Sequence, residues 1–216
     1  MAVAKRTAIK IITTVVVLAI VGVAAYFYFP KIFGDILYPI EYEDLIVKYS
    51  KQFAMDPALV AGIIYTESHF SPAASSGVGA QGLMQIMPAT GQAIAGRLGE
   101  PFGDLLDPDT NIRYGTSYIR SLIDAYGGDV DAALAAYNGG SGTADRYVIS
   151  RSDASLPDET AAYIKKVNSA WQIYEQLYGN VLNASNVAEA LKIKQEEQEK
   201  SWWDKMLERV GITKNK

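Results

Sequence analysis

The chain predicts a mostly α-helical domain carried behind a single apolar N-terminal span. Asp-Pro or Pro-Asp pairs stand at 56–57, 107–108 and 157–158, where a capping acid and a proline with a preset φ open helices. Apolar residues then recur every three or four positions. No stretch alternates apolar and polar residues for long enough to make a useful strand.

The elements follow in order. Lys5, Arg6 and Lys10 precede the uncharged run IITTVVVLAIVGVAAYFYF at 11–29. That run is about 19 residues, close to what crosses a hydrocarbon core. Cations before it and acids soon after it place residues 1–10 in the cytoplasm and the domain on the extracytoplasmic side of a cell membrane. Tyr26-Phe27-Tyr28-Phe29 reads as an interfacial aromatic belt. The alternative is a cleaved signal peptide ending near Val23-Ala24-Ala25. The apolar run continues past that point, so the uncleaved single-pass anchor is the expectation. Residues 30–40 form a linker that reaches at most about 40 Å, so the domain at 41–178 should work close to its membrane.

Within the domain, Glu41 to Phe53 carries apolar residues at 45, 46, 49 and 53. Asp56-Pro57 starts a half-buried helix with a stripe at 59, 60, 63 and 64. Pro88 opens a short helix to Leu98. Asp107 caps a helix to about Tyr126, with Ile112, Gly115, Ile119, Leu122 and Tyr126 on one face and Gly127-Gly128 as its stop. Asp129 caps the next, where Val130, Ala133, Leu134 and Tyr137 align. Residues 138–142 (NGGSG) read as a turn-rich break. Pro157-Asp158 opens a long helix to Tyr178, with Tyr163, Val167, Ala170, Tyr174 and Leu177 facing one way. The extension at 179–216 begins loop-like at 181–186 and continues as a charged helix at 187–200. A last segment presents Trp202, Trp203, Met206, Leu207 and Val210 on one side. That face can pack on the domain, touch the membrane or dock a partner.

Composition excludes several classes of function. There are no cysteines, which removes disulfides, cysteine nucleophiles and thiolate metal sites. His69 is the one histidine, and two residues from Glu67 it has no helical metal spacing, so it reads as a surface or loop histidine. The net charge of −4, with three of the cations ahead of the apolar run, argues against a nucleic-acid partner.

Glu67 is the residue out of place. It continues the apolar stripe, four after Ile63 and three after Ile64. From Ser68 to Gly99 there is no acid, and the first cation is Arg97. A carboxyl group there, unneutralised and desolvated, should hold its proton to higher pH, as a general acid must. The ordinary alternative is a glutamate at a frayed helix end, turned into water. The loop 71–82 that follows is rich in small residues and glycine and longer than most helix connections, and it suits a ligand. Tyr137 and Tyr163 also fall on apolar stripes; as ordinary core residues they would simply bury their rings.

Glu67-Ser68, then GAQGLMQIMP at 79–88, AYNGG at 136–140 and ETAAYIKKV at 159–167 resemble, in that order, the soluble lytic transglycosylase family. The resemblance covers about residues 41–178. It implies a lysozyme-like fold of the goose-type and lytic transglycosylase kind. It also implies Glu67 as the catalytic residue, with Ser76 and Gln85 hydrogen-bonding substrate and Met87 lining the groove. Tyr137 would line the sugar groove, Asn138 would position it, and Tyr163 would lie close to Glu67. Without the resemblance, Met84 and Met87 read as core filler.

The implied substrate is the glycan strand of peptidoglycan, cleaved at the MurNAc-GlcNAc β-1,4 bond without water to leave 1,6-anhydroMurNAc. One glutamate serves as acid and then as base, and no cofactor is needed. An acid from elsewhere, such as Asp104 or Asp107, stays open at this point. So do a hydrolytic muramidase of the same fold and a non-catalytic peptidoglycan-binding scaffold.

Overall fold

A computed structural model describes residues 36–183 without a break, together with 12–18, 21, 22, 34, 189, 192, 193, 195, 196, 199–209 and 211. The chain divides into two compact units, residues 40–195 and a second formed by 1–39 with 196–216.

The larger unit is helical. Its elements are α1 (Glu43–Gln52), α2 (Pro57–Ser68), α3 (Pro88–Leu98), α4 (Pro108–Ala125), α5 (Val130–Gly139), α6 (Ser141–Ser150), a 3₁₀ turn (Asp153–Ser155) and α7 (Asp158–Leu182). Extended pairing among the described residues is limited to two isolated bridges, Ser75 with Gln81 and Gln81 with Ile86.

Capping chemistry sets the helix starts. Asp56 accepts hydrogen bonds from the Ala58 and Leu59 amides, Asp107 from Thr110 and Asp129 from Ala132. Each pairs an amide that the helix itself leaves unbonded.

The central element is α2. The expected half-buried stripe is corrected here: every residue from Ala58 to Ile64 is buried, so α2 is enclosed on all sides over its first two turns. The reason is tertiary. Helix α7 packs along α2 so closely that a Cβ on Gly62 would come within 2.9 Å of the Trp171 nitrogen. Trp171 also donates its indole N–H to Asp56 at 2.9 Å, tying α7 to the α2 cap. Each fully buried leucine or isoleucine, such as Leu59, Ile63 or Ile64, contributes about 1.5–3 kcal/mol through burial. The glutamate therefore stands where α2 emerges from this enclosure.

Three further expectations need correction. The turn-rich break at 138–142 is a single residue wide. Gly140 at φ 79° ends α5 and α6 starts at Ser141, a helix the pattern did not predict. On α4 the buried residue of the last turns is Ile123, and Leu122 is half-buried. Helix α7 runs on to Leu182, through the start of the segment expected to be a loop.

In the smaller unit, residues 12–18, 21 and 22 are helical, and the apolar side chains of Ile12, Val15, Val16, Val17, Leu18 and Val21 are all half or more exposed. The rest of the expected span at 11–29 lies outside the described residues. Among the described residues no helix is long and apolar enough to cross a membrane. Helix α8 (Trp202–Arg209) starts at Ser201, whose hydroxyl accepts from the Asp204 amide and donates to its carboxylate. Met206 and Leu207 are half-buried; the Trp202, Trp203 and Val210 side chains lie outside the described set.

Candidate active site

Glu67 occupies the last turn of α2. The two residues after the helix, His69 and Phe70, take left-handed φ values of 51° and 62°, which end it sharply. The carboxyl group is half-buried. Burial pushes its pKa from 4.5 up to about 7, against a smaller lowering by a hydrogen bond from Tyr163. A position at a helix C-terminus also disfavours negative charge. The Tyr163 hydroxyl, on α7, donates to Glu67 Oε1 at 2.8 Å. No second carboxylate among the described residues shifts the Glu67 pKa.

Asp104 and Asp107, left open as second acids, have local work. Asp107 Oδ2 accepts both the amide and the hydroxyl of Thr110, and Asp104 Oδ1 accepts the Leu106 amide. His69 is exposed, its ring 4.5 Å from that of Tyr65.

Two tyrosines feel the Glu67 charge, Tyr163 through its direct bond and Tyr137 at longer range. Burial and the Glu67 charge hold the phenols of both Tyr163 and Tyr137 well above their ordinary pKa, so both stay neutral donors. The Tyr137 hydroxyl donates to the Met84 carbonyl at 2.7 Å, and its ring lies 5.3 Å from that of Tyr118.

The loop after α2 is internally bonded. Ser76 closes a tight turn, its hydroxyl accepting the Ala80 amide at 2.9 Å. Gln85, at φ 46°, gives its side-chain amide to the carbonyls of Gly82 at 2.9 Å and Ala74 at 3.2 Å. Both side-chain N–H groups of Gln85 are thereby engaged, and its Oε1 remains as an acceptor. Ser68, adjacent to Glu67, donates its hydroxyl to Leu83 O at 2.8 Å and so joins the helix end to the loop. Met84 is fully buried, whereas Met87 is 41% exposed at the start of α3, so only the former is core filler. Asn138 is exposed at the end of α5, its carbonyl oxygen accepting the Thr160 hydroxyl at 2.9 Å.

The expected site residues thus fall into two groups. Tyr163 bonds Glu67, and Tyr137 lies within range of the charge of Glu67. Ser76, Gln85 and Met87 lie on the loop to which Ser68 and Tyr137 are bonded, and Asn138 follows Tyr137 in the chain. The sequence pattern placed Gly115 on the apolar face of α4 without giving it a role, and it passed over Asn111. Asn111 is 1% exposed and bonds the loop backbone at Met84 and Gln81. Gly115 leaves room for Met84, since a Cβ there would come within 2.8 Å of Met84 Cβ. The available signal was an Asn and a Gly one turn apart inside an otherwise amphipathic helix, both poor helix formers.

The arrangement can deliver one proton from a desolvated carboxyl group to a ligand and stabilise the carboxylate left behind. Comparisons with known proteins identify the family. A family model described as the transglycosylase SLT domain matches residues 44–158. The chain is 45% identical over 96 residues to a transglycosylase of Enterobacteria phage PRD1, covering 44% of this chain and 34% of that protein. It is 36% identical over 149 residues to membrane-bound lytic murein transglycosylase C of Actinobacillus succinogenes, covering 63% and 40%. The solved structure of an inactive glutamate-to-glutamine mutant of the lytic transglycosylase Slt from Pseudomonas aeruginosa matches with a TM-score of 0.63 and 30% identity, over 71% of this chain and 29% of that one. The chain therefore spans well under half the length of each of these proteins. Matched by the family model over more than half of its residues, the chain belongs to the transglycosylase SLT domain family.

Proposed function

We propose that the protein is a peptidoglycan lytic transglycosylase with Glu67 as its one catalytic acid and base. One observation carries this reading: a half-buried glutamate with its pKa near 7, one tyrosine donor and, among the described residues, no second carboxylate influence. Glycosidases that use water commonly need two carboxylates. A single one suffices when the substrate supplies the nucleophile.

Tyr163 occupies Oε1, which leaves Oε2 to carry the proton. Glu67 gives that proton to the glycosidic oxygen between MurNAc and GlcNAc. The C1–O bond breaks, the leaving sugar departs as its alcohol, and positive charge develops at MurNAc C1. The substrate's own N-acetyl oxygen can relieve that charge. Glu67 is then a carboxylate, and the Tyr163 hydroxyl bond stabilises it. It removes the proton from the C6 hydroxyl of the same MurNAc, and O6 bonds to C1. The product is a 1,6-anhydro ring and Glu67 is again protonated, so atoms and charges balance. Because the attacking group is already attached, no water has to be bound and oriented. Ser76, Gln85 and Asn138 hydrogen-bond or position the glycan, and Met87 and Tyr137 line its groove.

The domain at 41–178 is the catalytic part, and residues 11–29 hold it on the extracytoplasmic face of the membrane. The uncharged run and the exposed apolar side chains at 12, 15–18 and 21 support the anchor. So does the likeness to a protein named as membrane-bound. Carbonate-resistant membrane association with protease-accessible domain tests the placement; release by carbonate refutes it.

Mass spectrometry of digested peptidoglycan tests the activity. Anhydro ends support it. Reducing ends point to a hydrolytic muramidase, and uncut strands to a binding scaffold.

A further inference from the structure

We propose that Asn111 is a positioning residue for this reaction: it holds the peptide between Leu83 and Met84, and through it the parts of the site on either side of Glu67. The proposal rests on the transglycosylase reading. Asn111 is almost wholly buried and uses its side chain three times. Its Oδ1 accepts the Met84 amide at 2.7 Å, and its Nδ2 donates to Gln81 O at 2.9 Å and Leu105 O at 2.7 Å.

The 83–84 peptide is the key unit. Peptide units are planar, so its C=O and N–H turn together. Asn111 holds the N–H end, and the Ser68 hydroxyl, next to Glu67, holds the C=O end. The following carbonyl, that of Met84, receives the Tyr137 hydroxyl. One asparagine on α4 thereby aligns the end of α2, the Gln85 loop and Tyr137 on α5. Two glycines make the approach possible. A Cβ on Gly82, at φ 75°, would come within 2.8 Å of Asn111 Cγ, and a Cβ on Gly115 would displace the Met84 side chain. Asn111 is almost wholly buried, so it acts through its neighbours.

The test is Asn111→Asp in the full-length protein. Aspartate keeps an acceptor for the Met84 amide, but when ionised it turns lone pairs toward the Gln81 and Leu105 carbonyls. At pH 7 we expect kcat per folded molecule to fall at least about tenfold with KM within about threefold, the pattern of a lost transition-state alignment. The deficit relative to wild type should narrow as pH falls and the new carboxyl group regains a proton. In a Tyr137→Phe background the same change should cost less than about threefold, because both residues act through Met84. Unchanged kcat per folded molecule, or full additivity with Tyr137→Phe, overturns the proposal.

A second readout needs no substrate. Hydrogen exchange should accelerate in residues 81–86 while α2 and α7 stay protected. Uniform loss of protection, or none, overturns the proposal. Wild-type protein that leaves peptidoglycan uncut sinks the transglycosylase reading instead, and the exchange pattern still decides what Asn111 holds.

Discussion

Replacing Glu67 with Gln should stabilise the fold, and only above a definable pH. The glutamate has its ordinary pKa of 4.5 when unfolded and about 7 when folded. Below 4.5 it is protonated in both states and costs nothing. Between 4.5 and 7 the unfolded chain releases the proton and the folded chain keeps it. The unfolded state then binds fewer protons, so stability falls as pH rises. Above 7 both states are ionised and the full cost is present. At about 1.36 kcal/mol per pKa unit the cost is about 3 kcal/mol, and about 2–3 after allowance for partial exposure. Glutamine is of the same shape and does not titrate, so the variant escapes that cost. For a domain of this size the gain corresponds to roughly 5–10 °C in Tm. The assay is a pair of urea or thermal unfolding series at pH 4, 6 and 8, with the variant compared to wild type at each pH so that other titrations cancel. The difference should be smallest at pH 4 and largest at pH 8. A constant difference, or a variant less stable at pH 8, would refute the burial of a proton-holding carboxyl group. The same variant should lose nearly all lytic activity.

Three further outcomes follow from the contacts. Tyr163→Phe removes a hydroxyl donor to Glu67, a bond to a charged group worth about 1.5–3 kcal/mol. The Glu67 pKa should rise by roughly one to two units, seen as an upward move of the alkaline limb of the pH–rate profile, with a lower maximum. Gly115→Ala pushes a methyl group into Met84 and should cost about 1–3 kcal/mol of stability in urea unfolding, with activity falling as the loop shifts. Asp56→Ala removes the α2 cap and the Trp171 partner together and should cost at least about 1–2 kcal/mol, with little change in the pH profile.

Much of the helical framework was legible because its signals are local. Asp56-Pro57, Asp107-Pro108 and Asp129 start helices through capping side chains, and Pro88 through its preset φ at the first helical position, all within a few residues. Glu67 was legible for a related reason, since a charge continuing an apolar stripe is a contradiction visible within four residues. What stayed hidden depends on partners distant in the chain. The all-round burial of α2 from Ala58 to Ile64 comes largely from α7, about a hundred residues on, and its own pattern showed only a stripe. Helix α6 was missed because Gly140 turns the chain in one residue, while NGGSG promises a longer break. Asn111 looks like an ordinary polar residue in the first turn of a helix; only the fold places it against Met84 and Gln81. Loop residues Ser76 and Gln85 stood out through the family's motif, and their observed bonds are to the loop's own backbone.

The most direct measurement is a ¹³C NMR titration of the Glu67 carboxyl carbon in the folded protein, with Glu67→Gln for assignment. A desolvated, proton-holding Glu67 predicts a midpoint near 7, moved higher in Tyr163→Phe. A midpoint near 4.5 would leave no proton on Glu67 at neutral pH and would contradict that prediction.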